Sequence, residues 1–270
     1  MPIEHLKSRA VISVSGADAG GLLQRVVTAN LDNLGDDMVR DCALLTPQGK
    51  VLFQFLISRH GDGFLMDCPE TDRDALLKRL TMYRLRSDVA LEKADLQVLT
   101  SADAFEGSAV DERADAMGHR AYSSDVPANA EDERAYHSRR IGIGVPEIGS
   151  DYEGQSVFAH EALLDLTHGI DFRKGCYVGQ EVVSRVEHRS SARKRFVRVA
   201  ADIALPERGI AIMVDGKSVG TMGSAIGGGG LALVRVDKLS TPNVQIGDVT
   251  ATLHVPTFAR FILGLDPKDG

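Results

Sequence analysis

The sequence predicts an α+β protein that ends in a small all-β unit. Strand and helix patterns alternate over residues 1–100, which favours a mainly antiparallel sheet with helices beside it. The last part of the chain instead contains short strand-like runs, separated by turns with Gly, Pro or Asn, that are typical of a small β-barrel or sandwich. These runs are 196–200, 211–214, 231–236 and 249–254.

The elements of the first unit follow from apolar periodicity and turn residues. Leu22, Leu23 and Val26 recur at helical spacing, so a helix follows the first strand. Residues 46–50 carry the Pro and Gly that a hairpin turn needs between two strands. The predicted elements are a strand at 10–15, a helix at 18–31, strands at 40–46, 51–58 and 63–68, a helix at 71–85 and a strand at 89–100.

A change in composition marks the end of the first unit. Residues 101–138 are rich in Ala, Asp, Glu, Ser and Arg and poor in large apolar side chains, which predicts an exposed, variable connector. The predicted units are an N-terminal α+β part at 1–100, the connector at 101–138, a middle part at 139–192 and a C-terminal β-barrel at 193–270.

The overall composition indicates a globular protein in a reducing compartment. Hydrophobic residues make up 43% and charged residues 26% of the 270 positions. The net charge of −7 argues against a general nucleic-acid scaffold. Three cysteines without a Cys-x-x-Cys pair predict reduced thiols, and neither a signal peptide nor a membrane span is expected. We therefore expect a cytoplasmic protein.

Common cofactor and metal motifs find no support in the sequence. Gly49-Lys50 is followed by Val51, so it does not complete a P-loop. His160-Glu161 begins like the metalloprotease helix motif, but Leu164 stands where the second His belongs. Eight scattered histidines show no metal-ligand spacing, so no metal site is predicted.

Glu161 is the first candidate binding residue. It stands beside Phe158, Leu163 and Leu164 on a predicted helix with an apolar stripe. If it is buried, its two carboxylate oxygens suit a ligand with adjacent N–H donors, such as a guanidine-like ring edge. Because Glu is rarely buried, spacing alone favours the alternative of a solvated helix residue.

Cys176 is the candidate reactive group. Gly175 and Gly179 bracket a short stretch around it and permit close backbone approach or positive φ. A neighbouring cation stabilises a thiolate, so Lys174 is expected to lower the pKa of the Cys176 thiol. The alternative, an inert and half-buried thiol, stays open on this chemistry.

Residues 185–198 form the dense basic stretch of this acidic chain. Six Lys or Arg residues stand there against one acid, Glu187. The stretch could receive a polyanion such as a polyglutamate tail, a phosphate or RNA. A solvated strand face is the usual alternative for a basic run.

Residues 174–181 carry the strongest signal, because they resemble a known signature. They read Lys-Gly-Cys-Tyr-Val-Gly-Gln-Glu and resemble the Lys-Gly-Cys-Tyr-x-Gly-Gln-Glu motif of the YgfZ-type folate-binding proteins, which include the mitochondrial iron–sulfur assembly factors. Similar segments elsewhere extend the resemblance over nearly the whole chain except 101–138. They are 16–31, 44–50, 144–146 and 160–162.

The resemblance implies the fold of the aminomethyltransferase, or glycine-cleavage T-protein. That fold places antiparallel-sheet domains around a central funnel, completed here by 139–192, and adds a C-terminal β-barrel. It implies tetrahydrofolate, or a one-carbon-substituted folate, as the cofactor. Glu161 matches the glutamate that bonds the pterin ring, and Cys176, with Lys174 beside it, matches the signature cysteine. The further expected folate-binding residues are Tyr177, Gln180, Glu181, Arg185, Asn30, Arg193 and Arg195.

One departure separates this chain from the aminomethyltransferases. They carry Gly-Gly-x-x-Asp-Asp after the first hairpin turn, whereas this sequence has Phe53-Gln54 at the two acidic positions. Neither side chain can serve as a carboxylate base, so the acidic catalytic pair is absent. Many YgfZ-type chains have an Asp at the position of Gln54, and the role of Gln54 stays open.

These observations give one preferred function and two alternatives. We expect a folate-binding factor for iron–sulfur cluster assembly or repair, with iron–sulfur client or assembly proteins as partners and no membrane contact. The alternatives are a folate-dependent, aminomethyltransferase-like transferase and a tRNA-modification accessory protein. Direct nucleic-acid binding is the less favoured role of the basic stretch, and whether the chain is an enzyme stays open.

Overall fold

A computed structural model describes residues 2–188 and 192–264 as a sheet unit followed by a closed barrel. The strands of the sheet unit are β1 (Glu4–His5), β2 (Arg9–Ser15), β3 (Met38–Leu45), β4 (Val51–His60), β5 (Gly63–Pro69), β6 (Ala90–Ala94), β7 (Gln97–Ser101), β8 (Ala109–Asp111) and β9 (His119–Ser123). The barrel strands are β10 (Lys194–Ala200), β11 (Ala211–Val214), β12 (Lys217–Ile226), β13 (Gly229–Arg235), β14 (Asn243–Ile246) and β15 (Val249–His254).

Four α-helices in the described residues accompany these strands. They are α1 (Ala19–Val26), α2 (Arg73–Arg84), α3 (Arg134–Ile143) and α4 (Gln180–His188). Short 3₁₀ turns are Glu70–Asp72, Asp115–Met117 and Val236–Lys238. None of the described helices has the length and apolar character needed to cross a membrane.

The nine sheet strands run in the order β1-β7-β9-β8-β3-β4-β5-β2-β6. All neighbours are antiparallel except β3 and β8, which confirms the expected mainly antiparallel α+β unit. Helix α1 buries Leu22, Leu23 and Val26 against this sheet, because these side chains lie on one helical face. The same apolar spacing predicted the helix from the sequence.

The segment 101–138 differs from the exposed connector that its composition predicted. It supplies β8 and β9 to the sheet, and it buries Arg113, Met117 and Arg120 almost completely. The composition misled because these arginines are buried as members of ion pairs, and polar character along the sequence does not reveal such pairing.

A network of buried ion pairs connects this segment to its surroundings. Arg113 donates to Asp111 (2.7 and 2.9 Å) and to Glu147 (2.6 Å), while Tyr136 donates a short hydrogen bond to Glu147. Burial by itself raises the pKa of Glu147, but the guanidinium groups of Arg113 and Arg140 outweigh it and hold that pKa well below its usual range. The carboxylate therefore stays charged and its pairs persist.

The same network reaches the barrel through Asp151. Arg140 on α3 donates to Asp151 at 2.7 Å, and Asp151 also accepts from the backbone N–H and the hydroxyl of Ser224 on β12. The orientation of the barrel relative to α3 is therefore fixed by directional, charge-assisted hydrogen bonds.

The C-terminal unit is a six-stranded closed barrel in the order β10-β13-β12-β11-β14-β15. Four of its strands lie where the apolar runs predicted them, and β12 and β14 were not predicted. Strand β12 contains Gly220 and Gly223, and in β14 only Val244 and Ile246 are buried. Small and alternating residues give a weaker strand pattern than a continuous apolar run.

The signature segment packs directly on the hairpin between β3 and β4. A Cβ atom on Gly179 would lie 2.7 Å from the Thr46 carbonyl oxygen and 3.0 Å from the Leu45 side chain, and Gly179 has φ +84°. Gly49 in the hairpin turn, at φ +78°, similarly leaves room for Val182 on α4. Both glycines permit a backbone approach that a side chain would block.

We predict that Gly179→Ala lowers the free energy of unfolding by about 1–3 kcal/mol, because alanine there combines positive φ with a clash against backbone. Urea unfolding of the variant and of Gly175→Ala measures this. Gly175 has no atom within 4 Å of its would-be Cβ, so that variant should stay close to the parent. Equal stability of the two variants would contradict the packing role of Gly179.

Candidate functional site

A cavity of about 300 Å³ lies where residues 158–161, between α3 and α4, meet helix α4 and the barrel. Its position follows from backbone pairing, because Lys50 at the hairpin end forms a bridge with Phe158, and Phe196 N–H donates to the Glu161 carbonyl oxygen. The cavity is lined by Phe158, His160, Glu161, Val186, Ala192, Arg193, Lys194 and Arg235.

Glu161 lies on this cavity, in consecutive turns instead of the predicted helix. Leu163 adopts φ +63°, which interrupts right-handed helical geometry directly after Glu161. The Glu161 Oε2 atom accepts a hydrogen bond from the Phe158 N–H at 2.9 Å. Burial raises the pKa of this carboxyl group, partly offset by that hydrogen bond and by Lys194 and Lys50.

The partial burial of Glu161 lies between the two alternatives left open by the sequence, and its binding role stays a prediction. The residue is neither a solvated surface glutamate nor fully enclosed, and one of its oxygens is held by backbone. Its Oε1 atom accepts no hydrogen bond from any residue in the described part of the chain. That oxygen is available for a donor in the cavity.

The basic stretch divides into residues with different surroundings. Arg193 and Lys194 are exposed and line the cavity rim. Arg195 instead donates from Nη1 to both carboxylate oxygens of Asp165 at 2.7 Å, so its charge is already paired. Arg185 is exposed on α4, and Arg189 lies outside the described residues.

Lys174 is buried and directed into the N-terminal unit. Its Nζ donates to the backbone carbonyl oxygens of Val27 (2.8 Å) and Ala29 (2.6 Å), and burial lowers its pKa. Cys176, two residues later, is exposed. The structure therefore does not place the Lys174 ammonium as the activating partner of the thiol, and it assigns Lys174 a tethering contact that sequence adjacency alone did not reveal.

The other signature residues support the segment and do not line the cavity. Tyr177 is buried in the core, with its ring 5.5 Å from Lys174 Nζ, and burial raises the pKa of its hydroxyl. Gln180 is the first residue of α4, and Glu181 is exposed in the first turn. None of these three is among the residues that line the cavity around Glu161.

Asn30 lies on a second cavity, of about 270 Å³, and not on the one that contains Glu161. Its side-chain amide donates to Asp171 at 2.8 Å and accepts from Gln24 at 2.9 Å. Arg40, on the same wall, is paired with Glu112 and also donates to the Asn30 carbonyl oxygen. The polar groups here bond one another. Asn30 and Glu161 line two different cavities, so the structure separates them.

Asp41 is a residue that the sequence analysis missed, and it explains the environment of Gln54. The two side chains lie on one face of the β3–β4 pair, and Gln54 Nε2 donates to both Asp41 oxygens at 3.0 and 3.1 Å. Thr167 donates to Asp41 at 2.7 Å, and Tyr152 donates to Gln54 Oε1 at 2.6 Å. Burial raises the pKa of Asp41 to about 6. The carboxylate is enclosed by its own partners.

The barrel sequence provides the first family assignment. Residues 193–261 match the family described as CAF17, C-terminal beta-barrel domain. Over 87% of its length, the chain is 32% identical to the mitochondrial iron–sulfur cluster assembly factor IBA57 homolog of Pyricularia oryzae, 72% of which is covered. The chain belongs to the IBA57 family of iron–sulfur cluster assembly factors. The resemblance carried by the signature at 174–181 is thereby confirmed.

Further IBA57 relatives support this membership. The human mitochondrial IBA57 is 31% identical over 73% of this chain, and the Chaetomium globosum homolog is 34% identical over 72%. The chain spans 65% of the human protein and 54% of the Chaetomium protein. The expected cytoplasmic location is wrong, because these IBA57 relatives are named as mitochondrial proteins.

A solved structure confirms the predicted fold. The glycine cleavage system aminomethyltransferase T from Bartonella henselae superposes with a TM-score of 0.76 over 97% of this chain and 87% of its own. The two sequences are 13% identical, so this likeness concerns the fold alone. The IBA57-family chain thus shares the aminomethyltransferase architecture while its own residues define its site.

The three cysteines of this IBA57-family chain differ sharply in access. We predict that Cys176 is alkylated first by iodoacetamide near neutral pH, because it is exposed whereas Cys42 and Cys68 are buried. Burial also raises the pKa of the Cys42 thiol to about 11 and that of Cys68 to about 12. Peptide mass spectrometry over time gives the order of labelling, and Cys176→Ser should abolish the fast phase. Faster labelling of Cys68 would refute this order.

Proposed function

We propose that this chain is a tetrahydrofolate-binding iron–sulfur cluster assembly factor. Its IBA57 relatives are named as assembly factors, and its signature segment resembles that of YgfZ-type folate-binding proteins. The observation that carries the folate part is Glu161, a half-buried carboxylate on a cavity of about 300 Å³ with one oxygen unoccupied by the described residues.

The chemistry of this cavity suits a reduced pterin. The pterin ring presents adjacent N–H donors along one edge, and a carboxylate can accept them together. Phe158 and Val186 supply apolar surface for the ring, whereas Arg193 and Lys194 are exposed at the rim and suit the anionic glutamate tail of a folate. The cavity volume lies at the lower end of the range for small-molecule sites, about 300–1,000 Å³, so the ring would be enclosed and the tail would extend outward.

The two alternative roles lack a comparable observation in the described residues. A transferase needs a carboxylate at the reacting nitrogen, but Gln54 occupies the acidic position and Asp41 is enclosed by Gln54 and Thr167. A direct RNA role would rest on the basic stretch, yet Arg195 is paired with Asp165. The assembly-factor role is therefore the one proposed.

The exposed thiol gives the proposed function a second component. Cysteine thiolates are the common protein ligands of iron–sulfur clusters. Cys176 is exposed, on a segment tethered by Lys174 and packed through Gly179. We propose that Cys176 acts on the cluster or on the iron–sulfur partner, while the folate site acts separately on its ligand.

Binding of tetrahydrofolate tests the first component. We predict that the protein binds tetrahydrofolate in anaerobic calorimetry and that Glu161→Gln weakens binding by about tenfold to a hundredfold, since one charged hydrogen-bond acceptor is lost. Glu207→Gln, an exposed change in the barrel, serves as the matched control and should bind like the parent. No binding by the parent protein would refute the folate site.

Cellular complementation tests the second component. In cells that lack the endogenous factor, we predict that the chain restores the activity of iron–sulfur enzymes under oxidant stress and that Cys176→Ser does not. The exposed position of Cys176 means that serine should leave the fold intact, which a thermal unfolding curve checks. Glu207→Gln should restore activity fully. Full restoration by Cys176→Ser would contradict the role of the thiol.

A further inference from the structure

His160 is a buried residue with an unexplained polar atom. Its side chain is 2% exposed, and its Nε2 forms no hydrogen bond within the described residues. Buried polar side-chain atoms almost always have a partner, and an imidazole nitrogen of this kind is a candidate metal ligand.

Two carboxylates surround this nitrogen. Asp165 lies on the same turn segment as His160, and Glu187 lies in the last turn of α4. One donor atom from each of the three residues lies within 4.8 Å of the other two. Glu187 Oε2 is 3.4 Å from His160 Nε2 without forming a hydrogen bond to it. One donor atom from each of the three side chains thus lies in the same small region.

The spacing of this pair is compatible with metal coordination. An imidazole nitrogen and a carboxylate oxygen each lie about 2.1 Å from a bound Zn²⁺, and two such ligands at a tetrahedral angle are about 3.4 Å apart. A direct N–H···O hydrogen bond would instead bring the two atoms to about 2.9 Å. The observed 3.4 Å matches the first distance.

We propose that His160, Asp165 and Glu187 bind a divalent first-row transition-metal ion, with Zn²⁺ as the best fit to their mixed imidazole and carboxylate donors. Asp165 and Glu187 offer two negative charges to the ion, and Arg195 shares that of Asp165. Glu187 is half-exposed and provides the entry path, whereas His160 and Asp165 form the buried side.

Arg195 fits this site as an orienting residue. It donates from one nitrogen to both oxygens of Asp165 at 2.7 Å, and it also bonds the His160 carbonyl oxygen at 2.9 Å. Each carboxylate oxygen retains a second lone pair for the metal. Partners of this kind fix the rotamers of metal ligands and are part of the design of such sites.

This site is independent of the proposed folate function, although His160 also lines the cavity that contains Glu161. A bound ion would connect the turn segment to the end of α4 and form part of the cavity wall. The ligands are separated by five and then twenty-two positions, which corresponds to no metal motif, so the sequence pattern did not reveal them.

Metal titration of the full chain tests this inference. The exposed Cys176 thiol is removed by Cys176→Ser, because it would itself bind Zn²⁺. In this background we expect calorimetry to show one Zn²⁺ per chain and Co²⁺ to give a visible spectrum of nitrogen and oxygen ligation. Glu187→Gln should weaken Zn²⁺ binding by about tenfold or more and abolish the rise in melting temperature that Zn²⁺ produces.

Two further variants make the result decisive. Glu207→Gln is the matched control and should bind Zn²⁺ like its background. His160→Gln should also lose Zn²⁺ binding. Because His160 is buried, circular dichroism checks that this variant folds. If it does not fold, the half-exposed Glu187 still provides a valid test. Absence of stoichiometric binding, or equal affinity of the Glu187→Gln and Glu207→Gln proteins, would overturn the assignment.

Discussion

The fold depends on a network of buried ion pairs that joins the sheet, helix α3 and the barrel. Arg113, Arg120 and Arg140 are each at most 2% exposed, and each guanidinium is paired with a buried carboxylate. Removing one partner of a buried pair commonly costs about 3–5 kcal/mol, because the remaining charge is left without compensation. The network therefore acts less as a source of net stability than as a constraint that permits one arrangement of these elements.

Neighbouring hydrogen bonds connect this network of ion pairs to the residues around Glu161. Asp151 is bonded to Arg140, and Tyr152, the next residue, donates to Gln54 on β4. Gln54 in turn holds Asp41, which Thr167 of the turn segment also contacts. Residues 152–167, which include Glu161, are thus bound at their two ends, by Tyr152 to Gln54 and by Thr167 to Asp41.

Asp41 and Gln54 form a buried polar pair in this fold. The fold is that of an aminomethyltransferase, but the polar groups beneath the β3–β4 hairpin bond one another and not a ligand. Burial raises the pKa of Asp41 to about 6, so the buried carboxyl group stays protonated to a higher pH than it would in water. The protonated Asp41 contributes to the free energy of unfolding at pH values below its ordinary pKa. This contribution is lost as the pH rises through about 6.

The separation between the thiol and the cavity has a similar origin. Lys174 and Cys176 are close in sequence, yet one ammonium is buried on backbone carbonyls and the thiol is exposed. Positive φ and close packing at Gly179 turn the backbone between them and α4. A linear motif therefore divides into a tethering lysine, an exposed thiol and a packing glycine.

The sequence by itself determined the α+β class, the β-barrel and the family signature, and it singled out Glu161 and Cys176 as candidate site residues. These depend on apolar periodicity, turn residues and a contiguous motif, all of which are local properties of the chain. Only the tertiary structure decided that Arg113 and Arg120 are buried, that Asn30 is separate from Glu161, and that His160, Asp165 and Glu187 converge. The physical reason is that pairing of charged groups depends on distances between remote segments, and burial of a charge is favourable only after its partner has been brought to it.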